Sequence, residues 1–192
     1  MKKIDFAAIR NLHEYETDRP EFRRRVIELK SRRRVSLGPM MSIVFENRDT
    51  VRFQIQEMLR VERIVQPEKV EHEIETYNAL LPGRGEVAAT LFIEITDQAR
   101  VQQVLDGFIG LDEPGRLALR AGARRFPARF DPAQNRGDRI SAVHYIRFAL
   151  GAEGAAALRR GEEAALEIAH GDYRATQLLS RETVEELLAD LA

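Results

Sequence analysis

A chain of 192 residues with 44% hydrophobic and 32% charged side chains has the make-up of a globular protein long enough to bury a core without covalent staples. It contains no cysteine, which excludes disulfides, thiolate metal sites, thiol catalysis and iron–sulfur ligation by its own side chains. The formal net charge of −1 selects neither nucleic acid nor an anionic membrane. No apolar run reaches the roughly 20 residues of a membrane span, the charged N-terminus lacks the apolar stretch of a signal peptide, and a cytoplasmic location is expected.

In chain order, Ile4 to Glu16 reads as a short helix with Ile4, Ala8, Ile9 and Leu12 on one side. Pro20 suits the first position of a second helix, where its missing N–H would have no partner anyway. That helix runs to about Arg33 and buries Phe22, Val26 and Leu29. Between Arg19 and Arg34 stand eight basic and two acidic residues. This density is read either as a solvated face with long aliphatic stems or as a site for phosphate, nucleic acid or an acidic partner.

Gly38-Pro39 bends the chain into an apolar, β-prone run, Ile43-Val44-Phe45. Glu46-Asn47-Arg48-Asp49 then breaks the pattern, and Asn47 or Asp49 is placed to cap the long helix that follows. At about 100° per residue, Val51, Ile55, Met58, Leu59, Val61 and Val65 share one arc. Glu62 falls inside that arc. If it is buried it needs a cation, and the preceding basic helix is the nearest source; otherwise it fans out to solvent at the helix end.

Pro67 opens a helix to about Leu81 that buries Val70, Ile74, Tyr77 and Leu81. Glu86 to Ile95 alternates as a strand. Asp97 caps a helix carrying Val101, Val104, Leu105, Phe108 and Ile109, stopped by Gly110. Leu117 to Ala121 and Phe126 to Phe130 are short strands. Pro127 cannot donate to a ladder, so its strand is expected at a sheet edge. Asp131 to Asp138 is a loop, and Arg139 to Leu150 a strand with His144 facing inward. A short Ala-rich helix ends at Gly161. Ala164 to Ala169 and Tyr173 to Leu179 pair around His170-Gly171-Asp172, and Ser180 caps a last amphipathic helix.

These elements predict an α+β protein. N-terminal helices pack on a mainly antiparallel sheet built from both halves of the chain. A single domain over 1–192 is expected, helix-rich in 1–82 and strand-rich in 86–179, with a C-terminal helix over 181–191.

No phosphate loop, dinucleotide fingerprint, GxSxG elbow or HExxH pair occurs. The four histidines are dispersed; a cluster of His13, Glu16, His72 and Glu75 would need the fold to gather it. His144, inward on a strand, is either a buried neutral imidazole with one hydrogen bond or, if a carboxylate pairs with it, a general-base candidate.

Several blocks carry a resemblance: RPEFRRRVIELKSRRRVSLGP (19–39), FENRDTVRFQIQEMLRVERI (45–64), EIETYNALLPG (73–83), ATLFIEI (89–95) and the closing HYIRFAL and HGDYRATQLLS segments. Together they resemble the bacterial family known as domain of unknown function 3501, over nearly the whole chain. That family has no assigned activity, so the resemblance transfers no catalytic residue. Its genes often neighbour those of rubrerythrin-like and iron–sulfur oxidoreductases. This implies an accessory role in an oxidative-stress or electron-transfer system, with any cluster on the partner.

The expectation is a non-catalytic binding or accessory protein without a cofactor or metal of its own. Its ligand- or partner-binding candidates are Arg23, Arg24, Arg48, Asp49, Glu57, Arg60, Glu62 and His144. One alternative is an enzyme acting on an anionic substrate through Glu57, Glu62, His72 or His144 beside arginines. Another is nucleic-acid binding through Arg23 to Arg34, where affinity would fall steeply with salt. Self-association is left open.

Overall fold

The computed structural model describes residues 1–132 and 140–191. The predicted 131–138 loop and the start of the predicted 139–150 strand lie largely outside these residues. Among the described residues, eight strands form one antiparallel sheet in the order β1-β2-β3-β6-β5-β4-β7-β8. The α+β class and a sheet drawn from both halves of the chain are as predicted.

The helices begin differently from the expectation. A 3-10 turn, Phe6–Ala8, precedes one long helix, α1 (Leu12–Arg33), which contains Pro20 in its interior. Pro20 cannot donate to the carbonyl one turn back, a local cost. Helix continues through it because Tyr15 before the proline and Phe22 and Val26 after it pack in one cluster with Phe53 of the next helix. Tertiary packing outweighs the stop signal.

A three-residue strand, β1 (Arg34–Ser36), follows α1 directly. Leu37–Met40 turns the chain into β2 (Met41–Glu46), which is buried throughout. Ile43 and Phe45 face the main core, while Val44 and Glu46 face the helical layer. Asn47 then caps α2 (Arg48–Val61): its side chain accepts from the N–H groups of Asp49 and Thr50, and Thr50 Oγ1 accepts from the Asn47 N–H. α3 (Pro67–Asn78) buries Val70 and Ile74 against α2. Val61 and Val65 are not in the buried arc; both are more than 60% exposed. Val61 is the exposed last residue of α2, and beyond it, at Val65, the 100° advance no longer applies.

β3 (Glu86–Ile93) pairs with β2 on one side and with β6 (Val143–Ala149) on the other. Between them in sequence come α4 (Val101–Asp106), shorter than predicted, then β4 (Leu117–Ala121) and β5 (Arg124–Phe130). β5 is an interior strand, contrary to the edge position that Pro127 suggested. It pairs with β4 through residues 124–127 and with β6 through 128–130. Pro127 sits where one ladder ends and the next begins, so its absent N–H breaks neither. α5 (Gly151–Arg159), the hairpin β7 (Ala164–His170) and β8 (Tyr173–Leu178), and α6 (Arg181–Asp190) complete the chain. Gly171 takes φ 52° in the two-residue turn, as the hairpin needs.

The sheet curls almost into a barrel around one apolar core. Leu91, Phe45, Ile146, Phe148 and Leu166 line it, and Leu158 of α5 and Leu187 of α6 plug it. Its two end strands are joined by side chains. Tyr173 of β8 donates its hydroxyl to the Leu37 carbonyl (2.6 Å) and accepts from the Met40 N–H (3.2 Å). At the other end of the seam, Arg33 of α1 is 1% exposed and holds both Glu186 and Asp190 of α6. α1, α2 and α3 lie together outside the curled sheet, and the cleft between α1 and α2 opens there.

Candidate functional site

The facing surfaces of α1 and α2 are polar because of a stripe at four-residue spacing on α2: Arg48, Arg52, Gln56 and Arg60. Gln56 is buried, and it accepts from the Arg10 N–H (2.7 Å) and donates to the Arg10 carbonyl (3.2 Å). This clamps the segment before α1 against α2. Arg10, Arg25 and Arg52 then line a polar cavity of about 220 Å3 with Tyr15, Asp18, Glu21 and Phe22.

Arg52 is the centre of this cleft. Its guanidinium lies over the Phe22 ring at 4.7 Å, and Arg25 approaches the same ring at 5.9 Å. Burial pushes the Arg52 guanidinium down, and the neighbouring Arg48, Arg25 and Arg10 push the same way; Asp49, at 3.4 Å, opposes them. The Nε–H groups of Arg48 and Arg52 are buried and have no acceptor. Asp18 and Glu21 pair with Arg10 and Arg25, so each acid of the cleft already has its own cation. The arrangement offers the unfilled Arg52 Nε–H in a cavity whose acids are already paired, which is what an oxyanion needs.

Deeper along the same helices, Glu57 collects five hydrogen bonds. Tyr15 donates its hydroxyl (2.8 Å), Arg19 grips both carboxylate oxygens (2.7 and 3.0 Å), and Arg60 does the same from one turn away (3.3 Å each). The Arg19 hydrogen bonds, with those from Tyr15 and Arg60, hold its carboxyl down to about 2 against the cost of burial. Burial, together with the bond to Glu57, pushes the Tyr15 hydroxyl well above its ordinary value. A carboxylate so saturated has no free lone pair for proton transfer, and it acts as the rivet between α1 and α2. Of the two readings of Glu62, the solvent-facing one holds, and the pairing with the basic helix is made by Glu57. Glu62 is the exposed C-cap residue of α2.

His144 is 1% exposed inside the curled sheet. Its Nε2–H donates to the Ser141 carbonyl (2.8 Å), Nδ1 meets no partner, and the ring stands edge-on to Phe130. Burial pushes it down, so the imidazole stays neutral. Among the described residues, no carboxylate hydrogen-bonds to it. Glu57, Glu62, His72 and His144 therefore lie respectively in the α1/α2 contact, on an exposed helix end, on the exposed side of α3 and inside the sheet. They do not converge. His13, Glu16, His72 and Glu75 are all exposed, and the described residues contain no group of three or more His, Cys, Asp or Glu able to hold a metal.

The basic run of α1 divides in two. Arg23, Arg24 and Arg25 are exposed, and Arg23 and Arg24 make no ion pair among the described residues. Arg32, Arg33 and Arg34 are engaged with Glu28, Glu186, Asp190 and Glu94. Arg48 and Asp49 stand at the start of α2, where Asp49 pairs with Arg52 at 3.4 Å, and neither lines the cavity. Arg10, Arg52 and Gln56 were not foreseen as site residues. The i, i+4 stripe of α2 was the available signal.

A curled antiparallel sheet of eight strands, with helices outside it and an arginine-lined cleft between two of them, defines an α+β protein built around a polar interhelical cavity. The chain belongs to the family described as protein of unknown function (DUF3501), whose pattern matches residues 3–191. It is similar to a protein of unknown function from Burkholderia pseudomallei, known from a crystal structure. The two are 29% identical with a TM-score of 0.93, over 100% of both chains. No curated protein matches.

Proposed function

We propose that this protein is a non-catalytic binding or accessory protein that takes an anionic group, a phosphate or carboxylate of a ligand or acidic partner, into the cleft between α1 and α2. The observation that carries the reading is the buried, acceptor-less Nε–H of Arg52, a residue that lines the cavity together with Arg10 and Arg25. A buried donor without an acceptor costs about 1–3 kcal/mol, and an oxyanion in the cavity would satisfy it. The scattering of the acid and base candidates favours binding over catalysis. Arg23 and Arg24 extend the positive surface toward a bound partner.

The family resemblance names the partner class to test first: a rubrerythrin-like or iron–sulfur oxidoreductase. Calorimetric titration with inorganic phosphate is expected to give saturable binding in the roughly millimolar range that weakens at least about tenfold in Arg52→Met. Equal binding by the variant would refute the site. Pull-down of a redox partner that is lost in Arg23→Glu/Arg24→Glu supports the accessory role, and failure of such partners to bind at micromolar concentration counts against it.

A further inference from the structure

A second cavity, of about 250 Å3, lies over β3, β5 and β6, beside the turn at Ala79 and Leu80. Ala88 and Tyr145 stand on the same face of the sheet as Glu46 and line it, while Phe130 and Ile146 border it from strands whose side chains face the main core. Glu46, the last residue of β2, also lines it. Glu46 is 3% exposed. One of its carboxyl oxygens accepts from the Thr90 hydroxyl (2.7 Å), one strand across. The other is buried and has no donor.

The cations of the same cavity do not supply that donor. Arg147 donates to the carbonyls of Leu81 (2.7 Å) and Ala79 and pairs with Glu86 at 3.5 Å; Arg129 also pairs with Glu86. Both guanidiniums are therefore held at the Glu86 side. The carboxyl group of Asp131 is a second acid in the lining. Burial, with the charges of Glu46 and Asp131, pushes the Tyr145 hydroxyl up, so both acids are near it and it stays protonated. The acids do not amount to a metal site, since the described residues hold no qualifying group of three.

We propose that this cavity binds a small molecule bearing a protonated amine, whose N–H groups fill the open oxygen of Glu46 while its carbon skeleton packs on Ala88 and Tyr145. The chemistry follows from the lining. A buried carboxyl oxygen calls for a charged donor, and the Tyr145 ring beside it favours a cation. The volume is below the ~300–1,000 Å3 of pockets for drug-sized ligands, so the occupant is smaller than these. This site is independent of the arginine cleft.

The test uses the full chain and three probes of one shape: benzylamine, benzyl alcohol and benzoate. NMR titration at pH 7 is expected to show saturable benzylamine binding in the millimolar range, with shifts at Tyr145 and Ala88. Benzyl alcohol and benzoate should bind at least about tenfold more weakly, and Glu46→Gln should lose about tenfold in benzylamine affinity. The comparison of amine with alcohol is made on the unaltered protein and stands even if the variant fails to fold. Equal affinity for amine and alcohol, or no saturation by benzylamine at about 50 mM, would overturn the proposal and leave the Glu46 oxygen to water.

Discussion

Glu57 and His144 show how single side chains set the pH range of the fold. Glu57 is held down to about 2 from an ordinary 4.5 by Arg19, Tyr15 and Arg60. A depressed carboxyl stabilises the fold above its unfolded value, and that stabilisation is lost as pH falls from about 4.5 toward 2. Urea unfolding is expected to show this loss. Glu57→Gln should be less stable at pH 7 by about 1–2 kcal/mol, a figure reduced because the site is partly solvated, and its stability should vary less in that acid window. His144 is pushed below its ordinary 6.5 by burial. Its unfolded form takes up a proton below about pH 6.5 and its folded form does not, so stability falls as pH drops through that range. His144→Leu is expected to flatten the stability curve between about pH 7 and 5, read by thermal unfolding across that range.

At the scale of elements, the joints between α1, α6 and the sheet seam carry more weight than helix propensity does. Arg33 holds Glu186 and Asp190 from a fully buried position, and Thr183 of α6 donates its hydroxyl to the Arg32 carbonyl (2.8 Å). Arg33→Met would strand the Asp190 carboxyl group, since Glu186 keeps Arg32, and the expected destabilisation is about 3 kcal/mol by denaturant unfolding, with faster amide exchange in α6. Gly38 tells a similar story. It has φ +75°, and a Cβ there would lie 2.6 Å from the Tyr173 hydroxyl oxygen. Gly38→Ala is therefore expected to cost about 1–3 kcal/mol and to loosen the β1–β8 seam. Tyr173→Phe should weaken the same seam without strain at residue 38, so the two variants separate the hydrogen bonds from the backbone conformation.

The molecule as a whole was legible where local pattern and tertiary role agree. Glu86–Ile93 alternates and is a central strand; the His170-Gly171-Asp172 turn and the Ser180 cap stand where their chemistry put them. The misreadings share a cause. Pro20 and Pro127 carry local signals for a helix start and a sheet edge, yet packing across Tyr15 and Phe22 overrides the first and the change of ladder partner absorbs the second. Arg33 and Glu46 belong to the same class: their buried partners lie 153 and 44 positions away, beyond any periodic pattern. Arg48 and Asp49, singled out from the sequence, stand at the start of α2 one turn from Arg52 but do not line the cleft, while Arg10 joins it only because Gln56 clamps its backbone.

The proposed anion site between α1 and α2, organised by Arg52, is read directly by an NMR titration of the arginine side-chain Nε–H signals with inorganic phosphate. A saturable shift is expected at Arg52, with Arg19 and Arg60 unmoved because Glu57 already holds them. Phosphate-induced shifts spread evenly over the exposed arginines, with Arg52 unchanged, would refute the site.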